Sequence, residues 1–150
     1  MKKLILLSVI LSFSFLAEAQ CNLPYKSLAA FNNDTTAFVK YNFSDRAACY
    51  VGKTLKDVMQ DLSIPIQSFL TSTFGRDGTL YEGMYVYIYP YQTIMQSFYK
   101  CKFPNWIAIT FVKPISTSVL DALRDSTERN KWTPKIANLV MNMPIQSISD

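Results

Sequence analysis

The feature that most constrains the fold of this chain is an alternating segment at residues 80–91. Five tyrosines occupy odd positions, whereas Met84, Val86 and Ile88 occupy even ones. A period of two is that of a β-strand, because successive side chains point to opposite faces of the sheet. The segment therefore predicts one long strand, with an aromatic face made of Tyr81, Tyr85, Tyr87, Tyr89 and Tyr91.

Three further segments have strand patterns. Residues 64–74 alternate loosely, residues 106–112 are apolar on both faces, and residues 145–148 are a short apolar run. β-branched and aromatic residues of this kind favour extended structure. The glycines within residues 75–78 tolerate a positive φ, so this segment predicts a turn between the first two strands.

Four segments have helix signals. Asp34 is a candidate N-cap, and Thr54 with Asp57 forms a candidate capping box ahead of apolar residues at i, i+3, i+4 and i+7. A third helix begins near Ser116 or two residues later, and a fourth begins after Thr133 with proline at its first position. The order of elements predicts an α+β fold, an antiparallel three- to four-stranded meander with helices packed on one face.

The start of the chain has the pattern of a secretory signal peptide. Two lysines are followed by an apolar stretch at residues 4–16 and an Ala-Glu-Ala sequence that ends at Ala19. The apolar stretch is too short to span a bilayer comfortably. We therefore expect a signal peptide at residues 1–19, a single α+β domain at residues 20–150, no membrane span, and a periplasmic or secreted location.

A lipoprotein signal is the alternative for this segment. Acylation of Cys21 would need a small residue immediately before the cysteine and an aliphatic residue at the third position before it. Gln20 and Glu18 occupy those positions, so simple removal of the signal is favoured.

The chain has three cysteines, Cys21, Cys49 and Cys101. An oxidising compartment favours one disulfide with one thiol left over. We expect Cys49 to pair with Cys101, because Cys21 lies beside a new chain terminus. Pairing of Cys21 with either of the others, and three free thiols, remain open alternatives.

Several classes of function lack the residues that they need. The chain has no histidine, which excludes Ser-His-Asp and Cys-His catalysis and zinc sites that use imidazole. The three scattered cysteines do not form a zinc site either, so no metal and no cofactor is expected. The formal charge of +4 is spread without a basic block, so nucleic acid is not an expected partner.

Carboxylates are the remaining route to hydrolysis, and the densest group is Asp121, Asp125 and Glu128. On a helix these three residues would share one face. Arg124 and Arg129 would form i, i+4 charge pairs with Glu128 and Asp125, which favours a solvated helix face over an active site.

The tyrosine face is the candidate binding surface, made of Tyr81, Tyr85, Tyr87, Tyr89 and Tyr91. Exposed tyrosines offer rigid apolar rings with polar tips, which suit a protein partner or a glycan. The alternative is that these rings pack under the helices. Because both faces of the predicted sheet are apolar, a second copy of the chain is another candidate partner.

Residues 50–66 resemble the first half of a PASTA module. The resemblance rests on Gly52, the Thr54-Leu55 pair that opens a helix, and Ile64-Pro65-Ile66 after it. It implies a role in sensing cell-wall fragments. The whole chain is similar to small uncharacterised exported proteins of Gram-negative bacteria, a class that includes periplasmic immunity proteins which block a toxin.

The predicted function is that of an exported, non-enzymatic binding protein that engages a protein partner, for example as an immunity-type inhibitor. A cell-wall or glycan-binding module is the alternative, and a small carboxylate-dependent hydrolase is the third hypothesis.

Overall fold

A computed structural model describes residues 21–73 and 78–150 of the chain. It contains one antiparallel sheet of four strands in the order β1-β2-β3-β4. The strands are β1 Ser68–Thr73, β2 Leu80–Tyr87, β3 Trp106–Ser116 and β4 Ile145–Ser149. The α+β prediction with an antiparallel meander is confirmed. The predicted signal peptide, and residues 75–77 of the predicted turn, lie outside the described residues.

Five α-helices accompany the sheet in the described part of the chain. They are α1 Thr35–Val39, α2 Leu55–Leu62, α3 Tyr91–Tyr99, α4 Thr117–Leu123 and α5 Pro134–Val140. A π-helical segment, Lys40–Asp45, continues α1, and 3-10 turns lie at Leu28–Phe31 and Ala47–Tyr50.

The caps read from the sequence start three of these helices. The Asp34 carboxylate accepts hydrogen bonds from two backbone N–H groups at the start of α1. Thr54 and Asp57 form the capping box of α2, and the Thr133 side chain accepts from the N–H of Ile136 in α5. Each cap satisfies donors that a helix N-terminus leaves without an intrahelical partner.

The register of the sheet gives it two different faces. Phe69 lies opposite Val86, which lies opposite Ile107 on β3. These side chains lie on the inner face of the sheet. The inner face packs against apolar residues of the helices, and together they form the main core of the protein. Leu70, Tyr85 and Ala108 form the neighbouring row and therefore lie on the outer face. The helix residues in the main core are Phe38, Leu55, Val58, Leu62, Leu120, Ile136 and Val140.

The prediction of one strand from 80 to 91 is wrong beyond Tyr87. The strand ends there, and α3 begins at Tyr91 with Pro90 as its N-cap residue. Proline has no N–H to donate to a sheet, and its fixed φ suits the entry to a helix. The helices predicted from the sequence lie against the inner face, whereas Phe98 of α3 lies beside outer-face residues.

The disulfide joins Cys21 to Cys49, with 4.6 Å between their Cα atoms, and Cys101 is free and exposed. The preferred pairing of Cys49 with Cys101 is wrong, and one of the alternatives is observed. Cys101 lies two residues after the end of α3. A disulfide within one chain is typical of an oxidising compartment outside the cytoplasm.

The N-terminal segment is held close to Cys49 by the π-helical segment and the arginine after it. Arg46 Nε donates to the Leu23 carbonyl at 2.9 Å. The side-chain amide of Asn42 donates to the Lys26 carbonyl, also at 2.9 Å. These bonds are the physical reason that Cys21 is available for pairing despite its position near the start of the domain. Within the described ranges, no helix has the length and apolar character needed to cross a membrane.

Candidate functional site

The five predicted tyrosines separate into three environments. The register between β2 and β3 shifts between Tyr81 and Gly83, which is a β-bulge. Bulges re-aim the side chains on either side of them. Tyr81 therefore packs against the main core, where its hydroxyl donates to Asp121 at 3.4 Å.

Gly83 lies at the bulge, where β3 approaches it closely. A Cβ at this position would overlap the carbonyl oxygen of Ile109 and lie 3.1 Å from the Cα of Thr110. The neighbouring strand therefore approaches too closely for any side chain, and glycine is required here for space.

Tyr89 and Tyr91 follow the end of β2 and do not share its outer face. Tyr89 packs against the main core, and its carbonyl accepts a hydrogen bond from Ser68 Oγ at 2.7 Å. Tyr91 is the first residue of α3. Of the five tyrosines, Tyr85 and Tyr87 lie together on the outer face, so the prediction of a five-tyrosine face is wrong.

Of Tyr85 and Tyr87, Tyr87 is the more deeply buried, with 3% of its surface exposed. Burial disfavours the charged phenolate and raises the pKa of Tyr87 to about 12, with smaller contributions from Tyr85 and Tyr91. Tyr85 is half-buried and makes an edge-to-face contact with Trp106, with 6.2 Å between ring centroids.

An aromatic patch covers this part of the outer face. Phe103 contacts Trp106 and Phe98 edge to face, at centroid distances of 6.4 and 6.0 Å. Phe103 is 75% exposed. The six residues of the patch line a depression of about 250 Å³, and they are Leu70, Tyr85, Tyr87, Phe98, Phe103 and Trp106.

Sequence reasoning missed the contribution of α3 to this patch. The residues Tyr91, Ile94, Met95 and Phe98 lie at i, i+3, i+4 and i+7, which is the spacing of an amphipathic helix. Together with Pro90 before them, this period was the signal that could have placed a helix after β2.

A larger groove of about 830 Å³ lies between the start of α3 and residues 127–132. The α3 side of the groove consists of Pro90, Tyr91 and Gln92. Ile66 and Gln67 also line it, and the other side is Thr127, Glu128, Arg129, Asn130, Lys131 and Trp132.

Arg124 holds in place residues 127–132, which form the side of the groove opposite α3. Its guanidinium lies over the Phe69 ring, 5.0 Å from the centroid, and its Nε forms an ion pair with Asp121 at 2.6 Å. Its Nη1 donates to the Arg129 carbonyl at 3.1 Å and to Asn130 Oδ1 at 3.0 Å. This nearly buried cation therefore joins α4 to residues 127–132, the groove segment, and we call this set of bonds the Arg124 clamp.

The acidic residues predicted to share a helix face are separated, because α4 ends at Leu123. Asp125 lies beyond the helix and accepts hydrogen bonds from Thr127 and from the N–H of Glu128, which lower its pKa to about 2. Glu128 pairs with Lys131 at 3.2 Å. The expected i, i+4 charge pairs are thus replaced by others, and the described residues contain no cluster of metal-binding side chains.

Comparison with known proteins does not assign a family. No family model matches the chain, and no curated protein or solved structure is significantly similar to it.

Proposed function

We propose that this is an exported, non-enzymatic binding protein that engages a protein partner through the aromatic patch. The observation that supports this most strongly is Phe103, a large apolar side chain that is 75% exposed while in contact with two other aromatic rings. Clustered exposed aromatic residues are typical of interaction sites, whereas isolated ones are ordinary surface.

The patch has the physical features of an interface centre. Tyr87 is buried at its base, and the edge-to-face contact between Phe103 and Trp106 holds these two rings in a defined arrangement before any partner arrives. Little side-chain entropy is then lost on binding. Burying the Phe103 ring would contribute roughly 2 kcal/mol from the hydrophobic effect.

Charge next to the patch indicates the partner's chemistry. Lys100 and Lys102 are exposed and lie three and one residues before Phe103 in the chain. A complementary protein would present an aliphatic or aromatic side chain with acidic residues around it, because opposite charges at a rim steer association and specify the partner. A secreted toxin held by an immunity-type inhibitor is one protein of this kind.

The carboxylates offer less support for a hydrolase. Asp121 pairs with Arg124, Asp125 caps the turn that follows it, and Glu128 pairs with Lys131. A general acid and base pair needs two carboxyl groups that converge on one substrate bond, with environments that separate their pKa values. These three acids each have a structural partner instead.

A capture experiment with matched variants tests the proposal. Mature protein carrying Phe103→Ala should lose the partner that wild-type protein retains from envelope extract, with an affinity loss of about thirtyfold, as expected for a hot-spot aromatic. Tyr99→Ala is the control, since Tyr99 is 84% exposed and lies outside the patch. Equal capture by wild type and Phe103→Ala would contradict the proposal, and self-association lost on Phe103→Ala would identify the partner as a second copy.

A further inference from the structure

We propose that the groove between α3 and residues 127–132 is a binding site for a neutral oligosaccharide. This site is separate from the aromatic patch, and the proposal does not depend on the protein-binding function. The groove volume of about 830 Å³ lies within the range of ligand sites, roughly 300 to 1,000 Å³.

The sides of the groove are fixed before any ligand binds. The Phe69 N–H donates to the Asn130 carbonyl and the Trp132 N–H donates to the Gln67 carbonyl, each at 2.9 Å. The side-chain amide of Gln67 donates to the Ile88 carbonyl at 2.9 Å. Together with the Arg124 clamp, these bonds attach the groove segment to β1, so ordering the site on binding costs little entropy.

The groove offers neutral hydrogen-bonding groups on aromatic and amide side chains. Trp132, Tyr91 and Gln92 all line it, and none of their side chains forms a hydrogen bond with another residue in the described ranges 21–73 and 78–150. The indole N–H donates, and the phenol and amide both donate and accept. A sugar presents hydroxyl groups for such partners and an apolar ring face for an aromatic side chain.

The charges of the groove are already paired, which argues against a strongly ionic ligand. Glu128 lies 3.2 Å from Lys131, and Arg129 lies 3.8 Å from Asp121. A site built for phosphate or another anion would hold cationic side chains without carboxylate partners. Because both cations that line the groove, Arg129 and Lys131, have carboxylate partners, a neutral ligand is favoured.

An extended peptide is disfavoured by the state of the nearest strand edge. Peptides commonly bind by adding a strand to a free edge. At the groove, the edge of β1 is already paired, because Ser68 forms a bridge with Lys131 and the backbone of Gln67 bonds that of Trp132. The chemistry left at the groove is that of side chains, which suits hydroxyl-rich ligands.

The two tryptophans of the chain allow this site to be tested apart from the aromatic patch. Trp132 lines the groove and Trp106 belongs to the patch. In a Trp106→Phe variant, fluorescence reports on Trp132 alone. Titration with soluble tetrasaccharides of glucose, mannose and N-acetylglucosamine should give a saturable change with at least one of them, and the Trp132→Phe variant should give none.

Matched tyrosine variants then test the geometry in the Trp106→Phe background. Tyr91→Ala should weaken the oligosaccharide about tenfold or more, which corresponds to 1.4 kcal/mol or more. Tyr99→Ala, at the other end of the same helix, should leave affinity unchanged. Gln92→Ala, at an exposed position, should also weaken binding without affecting the circular dichroism spectrum.

Three results would overturn the oligosaccharide site. They are no response of Trp132 to any of the tetrasaccharides in folded protein, equal binding by Tyr91→Ala and Tyr99→Ala, and tighter binding of inorganic phosphate than of any sugar. Failure of the protein-binding proposal is recorded separately, through Phe103→Ala, so each proposal can fail without the other.

Discussion

Replacing Gly83 by alanine should destabilise the protein strongly, because the obstacle is backbone. The new Cβ would overlap the Ile109 carbonyl oxygen and lie 3.1 Å from both the Ile109 carbonyl carbon and the Thr110 Cα. No side-chain rotation can relieve this overlap, so β2 and β3 must separate locally. Overpacking costs roughly 1 to 3 kcal/mol, and a backbone obstacle places this change at about 3 kcal/mol.

Thermal and urea unfolding of the protein measure this effect. For a domain of this size, about 3 kcal/mol corresponds to a fall in Tm of roughly 10 °C. Gly52→Ala is the matched control, since a Cβ there meets nothing within 4 Å and only the positive φ of 77° is unfavourable. That conformation costs alanine about 1 kcal/mol.

The two variants give a clear criterion. If Gly83→Ala is no less stable than Gly52→Ala, the strands can separate at the bulge without cost, and the argument that close approach requires glycine is refuted. If the loss is as large as expected, the Tyr85–Trp106 contact should also weaken, since both residues lie on the strands that separate. Near-ultraviolet circular dichroism of the folded variant would detect that change.

Three further predictions concern the buried tyrosine and the disulfide. Tyr87→Ala should lower the free energy of unfolding by about 3 to 5 kcal/mol in urea titrations, since the side chain is almost fully buried; a loss below that of Tyr85→Ala would contradict this. Burial raises the pKa of Tyr87 from 10.0 to about 12, so the native state holds the phenol proton more tightly than the unfolded state does. The free energy of unfolding should therefore be constant below pH 10 as far as this group is concerned, and should fall as the pH rises towards 12. Tyr87→Phe should lessen that fall. Thiol titration of denatured, unreduced protein should find one thiol, that of Cys101, and three free thiols would refute the pairing. Cys21→Ser should lower the free energy of unfolding by about 3 to 4 kcal/mol for a loop of this length, whereas Cys101→Ser should lower it little.

Part of the candidate surfaces could be read from the sequence, and part could not. The apolar alternation of β2 and the parity of Tyr85 and Tyr87 were sufficient to place both on one face. The bulge at Gly83 was not visible, because a glycine within a strand pattern does not reveal how closely the neighbouring strand approaches. The shift that it introduces turned Tyr81 towards the main core.

The disulfide shows a second limit. The position of Cys21 beside a predicted chain terminus favoured the pairing of Cys49 with Cys101, with the pairings of Cys21 as alternatives. In the folded chain, Arg46 and Asn42 donate hydrogen bonds to the carbonyl groups of Leu23 and Lys26. These bonds hold the segment that follows Cys21, so Cys21 lies beside Cys49. Contacts between residues 16 to 28 positions apart depend on tertiary packing, which local patterns do not encode.

The sequence by itself determined the elements whose signals are local. Helix caps such as Asp34 and Thr54, and strands such as β3, follow from neighbouring residues because hydrogen bonds and side-chain periodicity act over a few positions. Tertiary structure alone decided which tyrosines are buried and which residues join them. The aromatic patch forms where β2, α3 and β3 meet, and the groove forms where α3 lies beside residues 127–132. Each of these surfaces depends on contacts between segments that are far apart in the chain.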